Sequence, residues 1–196
     1  CQRLQGKDAD TTLLPVSTTI SKDNVTVEQL LIGSGVTLTI SGNGCTVRDV
    51  LVTGTGVLSI VGTNCSLENV RLDTCTGTPI DLAGACHSLK VTGLRAYSCS
   101  GTNVISKSYT AAAIVNIAWS DLRFFNSSCS GYVVDLTAGT LGVTGQIANV
   151  VLVTQTNGGI GVEAGGDMLQ LEAIYLFGNV TANRGLKVDC GALGLF

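Results

Sequence analysis

Three kinds of side chain in this 196-residue sequence have the types and spacing for chemistry: cysteines, a histidine, and charged and aromatic residues at matching offsets. The eight cysteines stand at 1, 45, 65, 75, 86, 99, 129 and 190. Zinc sites are built from closely spaced Cys and His pairs; no Cys-x-x-Cys occurs, and His87 has no second histidine to join it. No metal and no cofactor are therefore expected. Asp73, Asp121 and Asp135 could act together on a glycosidic bond only where the fold brings two carboxylates within about 5–10 Å. Arg71, Arg95 and Arg123, with Tyr97, Phe125, Tyr175 and Phe177, are suited either to the carboxylates and rings of an acidic glycan or to a protein partner. Everything then depends on the elements that place these residues.

Composition narrows those elements. The chain carries 11 Lys plus Arg against 14 Asp plus Glu, a formal charge of −3, and only 13% of its residues are charged. That excludes a nucleic-acid binder working by phosphate neutralisation. With 45% hydrophobic residues and a mean hydropathy of +0.42 it is also too apolar to stay disordered. The 25 Gly, 2 Pro and 5% aromatics, set among many Val, Leu, Ile and Thr, predict strands and tight turns in an all-β chain. No run of about 18 apolar residues occurs, so no membrane-spanning helix is expected. The sequence begins at Cys1, without an initiator Met or a signal peptide, and is expected to be a processed product or a piece of something longer.

The apolar pattern repeats. Val27-x-x-Leu30-x-Ile32 returns as Val47-x-x-Val50-x-Val52, Leu67-x-x-Val70-x-Leu72 and Val91-x-x-Leu94-x-Ala96. Three more copies begin at Trp119, Ile147 and Leu171, so the intervals are 20, 20, 24, 28, 28 and 24 residues. A second segment follows at a near-constant offset, as in Cys75-Thr-Gly, Cys99-Ser-Gly and Cys129-Ser-Gly, each leading into another apolar strand. The unit reads strand, turn, strand, turn, with Gly where the turn needs positive φ.

In coil length, inward pattern and Asn/Gly turns, the stretch from about 25 to 190 resembles the right-handed parallel β-helix of the pectin-lyase-like superfamily, and most of all the β-helix modules of phage tailspikes and appendages. The resemblance implies a single-stranded right-handed parallel β-helix of about seven coils, 20–28 residues each, over 25–196, preceded by a cap or linker at 1–24. At about 4.8 Å per coil the rod would be roughly 34 Å long. It also implies where an enzyme of this kind would show itself. The Asn-Thr-Asp, paired Asp, Gly-His-Gly and Arg-x-Lys motifs of polygalacturonases are absent, and His87 is expected to be a coil-turn residue. The apolar C-terminus, Gly191 to Phe196, is expected to continue into a further domain or to contact another subunit.

Read in coil register, Cys45 and Cys65 share one inward column and Cys75 and Cys99 another, with Cys129 near it. These are expected to be buried, mostly free thiols. Four residues after each anchor come Leu31, Leu51, Arg71, Arg95, Arg123, Val151 and Tyr175; six after come Gly33, Thr53, Asp73, Tyr97, Phe125, Val153 and Phe177. Both columns should point outward, with Asp73 and Asp121 as acids for the stacked arginines. The expected function is a non-enzymatic structural or receptor/glycan-binding module of a virion, extracellular or cell-surface assembly, self-associating through this stripe, with a trimer favoured. The alternatives are a polysaccharide lyase or hydrolase acting on an acidic glycan, and a subunit of an extracellular filament. Asn-x-Ser/Thr sequons at Asn24, Asn64, Asn126 and Asn179 carry little weight in so Ser/Thr-rich a chain.

Overall fold

The computed structural model describes residues 2–8, 12–111, 113–137, 142–153, 159–164, 169–177 and 186–190. Among the described residues there are twenty strands and no helix. The early strands are β1 Gln2–Gln5, β2 Thr18–Ile20, β3 Val25–Glu28, β4 Leu31–Ile32, β5 Thr37–Ile40, β6 Thr46–Arg48, β7 Leu51–Thr53 and β8 Val57–Ile60. Next come β9 Ser66–Glu68, β10 Arg71–Asp73, β11 Ile80–Leu82, β12 Lys90–Thr92, β13 Arg95–Tyr97 and β14 Ile105–Lys107. The last are β15 Ile114–Phe125, β16 Val134–Leu136, β17 Val143–Val153, β18 Ile160–Ala164, β19 Leu169–Phe177 and β20 Leu186–Cys190. Strands pair in parallel from one coil to the next, forming a parallel β-helix of about six turns.

The repeat motif proves to be a corner. In Val47-Arg48-Asp49-Val50, β6 ends at Arg48 and β7 begins at Leu51, and Asp49 between them has φ 51°. The same left-handed residue recurs as Gln29, Asn69, Gly93, Asp121, Asn149 and Ala173. A single residue in this region redirects the chain at a cost of about 1–2 kcal/mol for most side chains, less for Asn, Asp and Gly. A second column of such residues runs through Gly54, Thr74, Ser98 and Asn126, and a third through Asn24, Gly44, Asn64, Ser88 and Asn116. Each coil is therefore three-sided, with three strands rather than the two expected. The first face holds β1, β3, β6, β9, β12 and the leading halves of the long strands β15, β17 and β19. The second holds β4, β7, β10, β13 and their trailing halves; the third is the eight-stranded sheet from β2 to β20.

Anchors stack as the spacing predicts, from Val27 through Val47, Leu67, Val91, Trp119 and Ile147 to Leu171. Inward residues of all three faces fill one core: Val47, Val52, Ile60, Leu72, Leu82, Phe124 and Ile147 are each at most 1% exposed. Residues from 1–24 join all three sheets, since β1 pairs with β3, Leu13 bridges to Leu31 and β2 pairs with β5. The C-terminal 191–196, the Asn179 sequon and the side chains of Cys1 and Cys190 lie outside the described residues.

Three faces also alter the reading of the chain's hydrophobicity. The aliphatic residues of the outer stripe are not an open apolar surface along the whole rod: Leu51 is 8% exposed, and Leu31, Val151 and Val153 are half-buried. Strands only about 4.8 Å apart press outward side chains against their rung neighbours, which covers much of each. The large apolar residues left open among the described ones are Leu13, Val16, Val61, Val115, Tyr175 and Phe177.

Candidate functional site

Strand pairing on the second face sets the arginines in register: Leu51 beside Arg71, Arg71 beside Arg95, Arg95 beside Arg123, then Val151 and Tyr175. The neighbouring column runs Thr53, Asp73, Tyr97, Phe125, Val153 and Phe177. Gly33 follows the end of β4 and is not part of the ladder. All seven residues singled out from the sequence thus lie on one face, as the offsets predict for alternating side chains.

Like charges stacked one coil apart need counter-charges, and the chain supplies them. Arg71 binds Asp73 within its own strand at 2.9 Å. Asp121 stands at the corner before the second face, where its left-handed backbone turns the carboxylate toward the ladder. It accepts from Arg123 Nε at 2.9 Å and faces Arg95 at 3.6 Å. The three arginines and two aspartates leave this patch with one net positive charge. Since the arginine side chains are 39–51% exposed, water screens these pairs and each is worth well under about 1 kcal/mol.

The aromatic residues stack along the rod. Tyr97 and Phe125 lie with ring centroids 5.2 Å apart and planes 11° from parallel, and the Arg71 guanidinium sits 5.9 Å from the Tyr97 centroid. Tyr97 thus has a ring stacked against it and a cation beside it. Tyr175 and Phe177, 6.4 Å apart on one strand, are the open aromatics at 48% and 55% exposure.

The acids do not converge. Asp73 and Asp121 belong to the second face and its corner, whereas Asp135 lies in β16 on the third. Asp135 is engaged there, accepting from Asn103 Nδ2 at 3.2 Å and from the Thr137 amide and hydroxyl at 3.0 and 2.6 Å. His87 is a turn residue, as expected: its Nδ1 accepts the Val115 amide at 3.2 Å and its carbonyl accepts the Asn64 amide at 2.7 Å, tying three coils together.

The six cysteines whose side chains are described are free and buried. Several donate weakly to backbone carbonyls of the preceding coil, Cys45 to Lys22, Cys65 to Gly42 and Cys75 to Val52. Burial pushes the Cys86 and Cys129 thiols up to about 12 and raises Cys65 as well. The Cys99 thiol beside Cys75, together with burial, raises Cys75. These groups are protonated and walled off, the opposite of a reactive thiolate. Among the described residues no cluster of His, Cys, Asp and Glu could hold a metal ion.

Two buried charges escaped the sequence reading. Glu28 is an outward residue only 2% exposed, roofed by Arg3 and by Arg48, whose Nε approaches to 2.6 Å. Burial alone would raise its carboxyl, but the hydrogen bonds and charges of the two guanidiniums outweigh this and lower it. Lys107, 1% exposed, occupies an inward position in β14 beside Leu82 of β11. The available signal was a break in the inward column Ile40, Ile60, Leu82, Lys107.

No protein-family model matches this chain, and neither a curated protein nor a solved structure is significantly similar to it.

Proposed function

We propose that this chain is a non-enzymatic β-helix module of a virion or cell-surface assembly, and that it docks by self-association through the outer side of its second face. The observation that carries this reading is the unbroken ladder of arginine, aromatic and aliphatic residues in strand register, ending in the half-exposed Tyr175 and Phe177. Arginine and aromatic residues are the types enriched where protein surfaces meet. The ring arrangement argues against a sugar platform at Tyr97, because a pyranose stacks on a ring face and Tyr97 has Phe125 stacked against it and the Arg71 guanidinium 5.9 Å from its centroid. Internal pairing with Asp73 and Asp121 likewise leaves little unmatched charge for an acidic glycan. The test is sedimentation velocity from about 1 to 200 μM. A concentration-dependent rise in sedimentation coefficient is expected; a monomer throughout would remove the reading.

A further inference from the structure

The two outer columns of the second face differ in chemistry, and that difference constrains how two copies can meet. One column carries Arg71, Arg95 and Arg123; the other, two residues further along the same strands, carries Asp73, Tyr97 and Phe125. Both point outward, roughly 6.6 Å apart along the strand. With the rods aligned, identical faces meet about a two-fold axis in one of two ways. An axis lying across the rods reverses the order of coils and sets each column against its own copy, so arginine faces arginine in every register that overlaps five or more of the seven rungs. An axis parallel to the rods keeps the coil order and exchanges the columns.

In that second arrangement Arg71 meets Asp73 of the second copy, Arg95 meets Tyr97 and Arg123 meets Phe125. The outer coils then match Val151 with Val153 and Tyr175 with Phe177. Contacts of the first two kinds occur within one chain, where Arg71 binds Asp73 at 2.9 Å and lies 5.9 Å from the Tyr97 ring centre. Across the axis Arg71 and Asp73 of both copies close into a four-membered ion cluster. A three-fold arrangement would set the stripe against another surface of its neighbour and would not impose this exchange of columns.

We infer that the chain pairs with a second copy of itself, rods side by side and pointing the same way, about a two-fold axis parallel to the rods. The inference rests on the docking reading above and adds its symmetry. Seven rungs span roughly 29 Å, and with a stripe about 12 Å wide each copy buries roughly 350 Å². That is below the standard size of stable interfaces, so the dimer is reversible, micromolar or weaker, and loosened by salt.

The experiment is disulfide trapping by mild oxidation, with linked peptides identified by mass spectrometry and folding checked by urea midpoint. Val151→Cys mixed with Val153→Cys should give a 151–153 link between copies. Thr53→Cys mixed with Val153→Cys should give none, because these residues are four coils apart. A 53–153 link, a trimer in sedimentation, or a dimer without the 151–153 link would overturn the parallel two-fold while leaving self-association standing. A monomer in sedimentation would overturn both.

Discussion

Replacing Gly62 by alanine tests the stacking of coils directly. A Cβ on Gly62 would lie 2.1 Å from the carbonyl oxygen of Gly42, one coil below, and 3.2 Å from that of Ser41. Ordinary contact needs about 1 Å more, and the obstacle is backbone. That backbone is tied at the same corner, where the amides of Val61 and Gly62 both donate to Ile40 O at 2.9 and 3.0 Å. Losing one of these bonds costs about 1 kcal/mol and the overpacking about 1–3 more, so Gly62→Ala should cost about 2–4 kcal/mol. Two other glycines separate the causes. Gly77→Ala meets nothing within 4 Å and needs no left-handed backbone, so it should be neutral or stabilise by up to about 1 kcal/mol. Gly35→Ala also has open space but φ +75°, and should cost about 1 kcal/mol from conformation alone. Urea unfolding midpoints of the three variants read the order. If Gly62→Ala unfolds with Gly77→Ala, the coils are not stacked as described.

Other perturbations address the charges and thiols. Glu28→Gln should lower stability at pH 7. The folded carboxyl is held below the ordinary 4.5, so its contribution is complete above that value and lost as pH falls through the folded one. Urea midpoints of the wild type and Glu28→Gln should therefore converge below pH 4.5; a constant gap would refute the ion-pair account. Lys107→Leu should cost about 1–3 kcal/mol, because it removes one side of the interactions that a fully buried lysine makes and leaves the other side buried. Unchanged or higher stability would show that the fold does not need those interactions. Cys45, Cys65, Cys75, Cys86, Cys99 and Cys129 should resist iodoacetamide at pH 8 in the native protein and react fully in urea, as read by peptide mass. Native alkylation of Cys86 or Cys129 would contradict their burial.

The rod, the anchor columns, the buried cysteines and the outward ladder were legible because each follows from a periodic apolar pattern. The corners were not. A left-handed residue leaves no mark on hydrophobicity, so Val47-Arg48-Asp49-Val50 reads as one strand until Asp49 is seen to turn it. The signal was present in residue type, since Asp49, Asn69, Gly93, Asp121 and Asn149 recur two places after each anchor. Asp121 shows the cost of missing it. Its pairing with Arg123 follows from the sequence, but its bridge to Arg95 depends on the corner that swings it to the second face. The exposure of the stripe was overestimated for a different reason. Alternation tells which side of a sheet a residue faces, whereas neighbours one coil away decide how much of it stays open, as Leu51 illustrates. Glu28 lies beyond pattern reading, because its column is outward and polar and only Arg3 and Arg48 closing over it bury it, whereas Lys107 shows solely as the break after Ile40, Ile60 and Leu82.

The central claim is that the outer side of the second face is a docking surface, and sedimentation equilibrium of three proteins tests it most directly. Phe177 is 55% exposed, so Phe177→Asp should leave the fold intact while placing a charge in the stripe; Thr19→Asp places the same charge on the exposed third face. The account predicts concentration-dependent self-association for the wild type and Thr19→Asp, and a monomer for Phe177→Asp. A wild-type monomer at every concentration, or association that Phe177→Asp leaves unchanged, would contradict it.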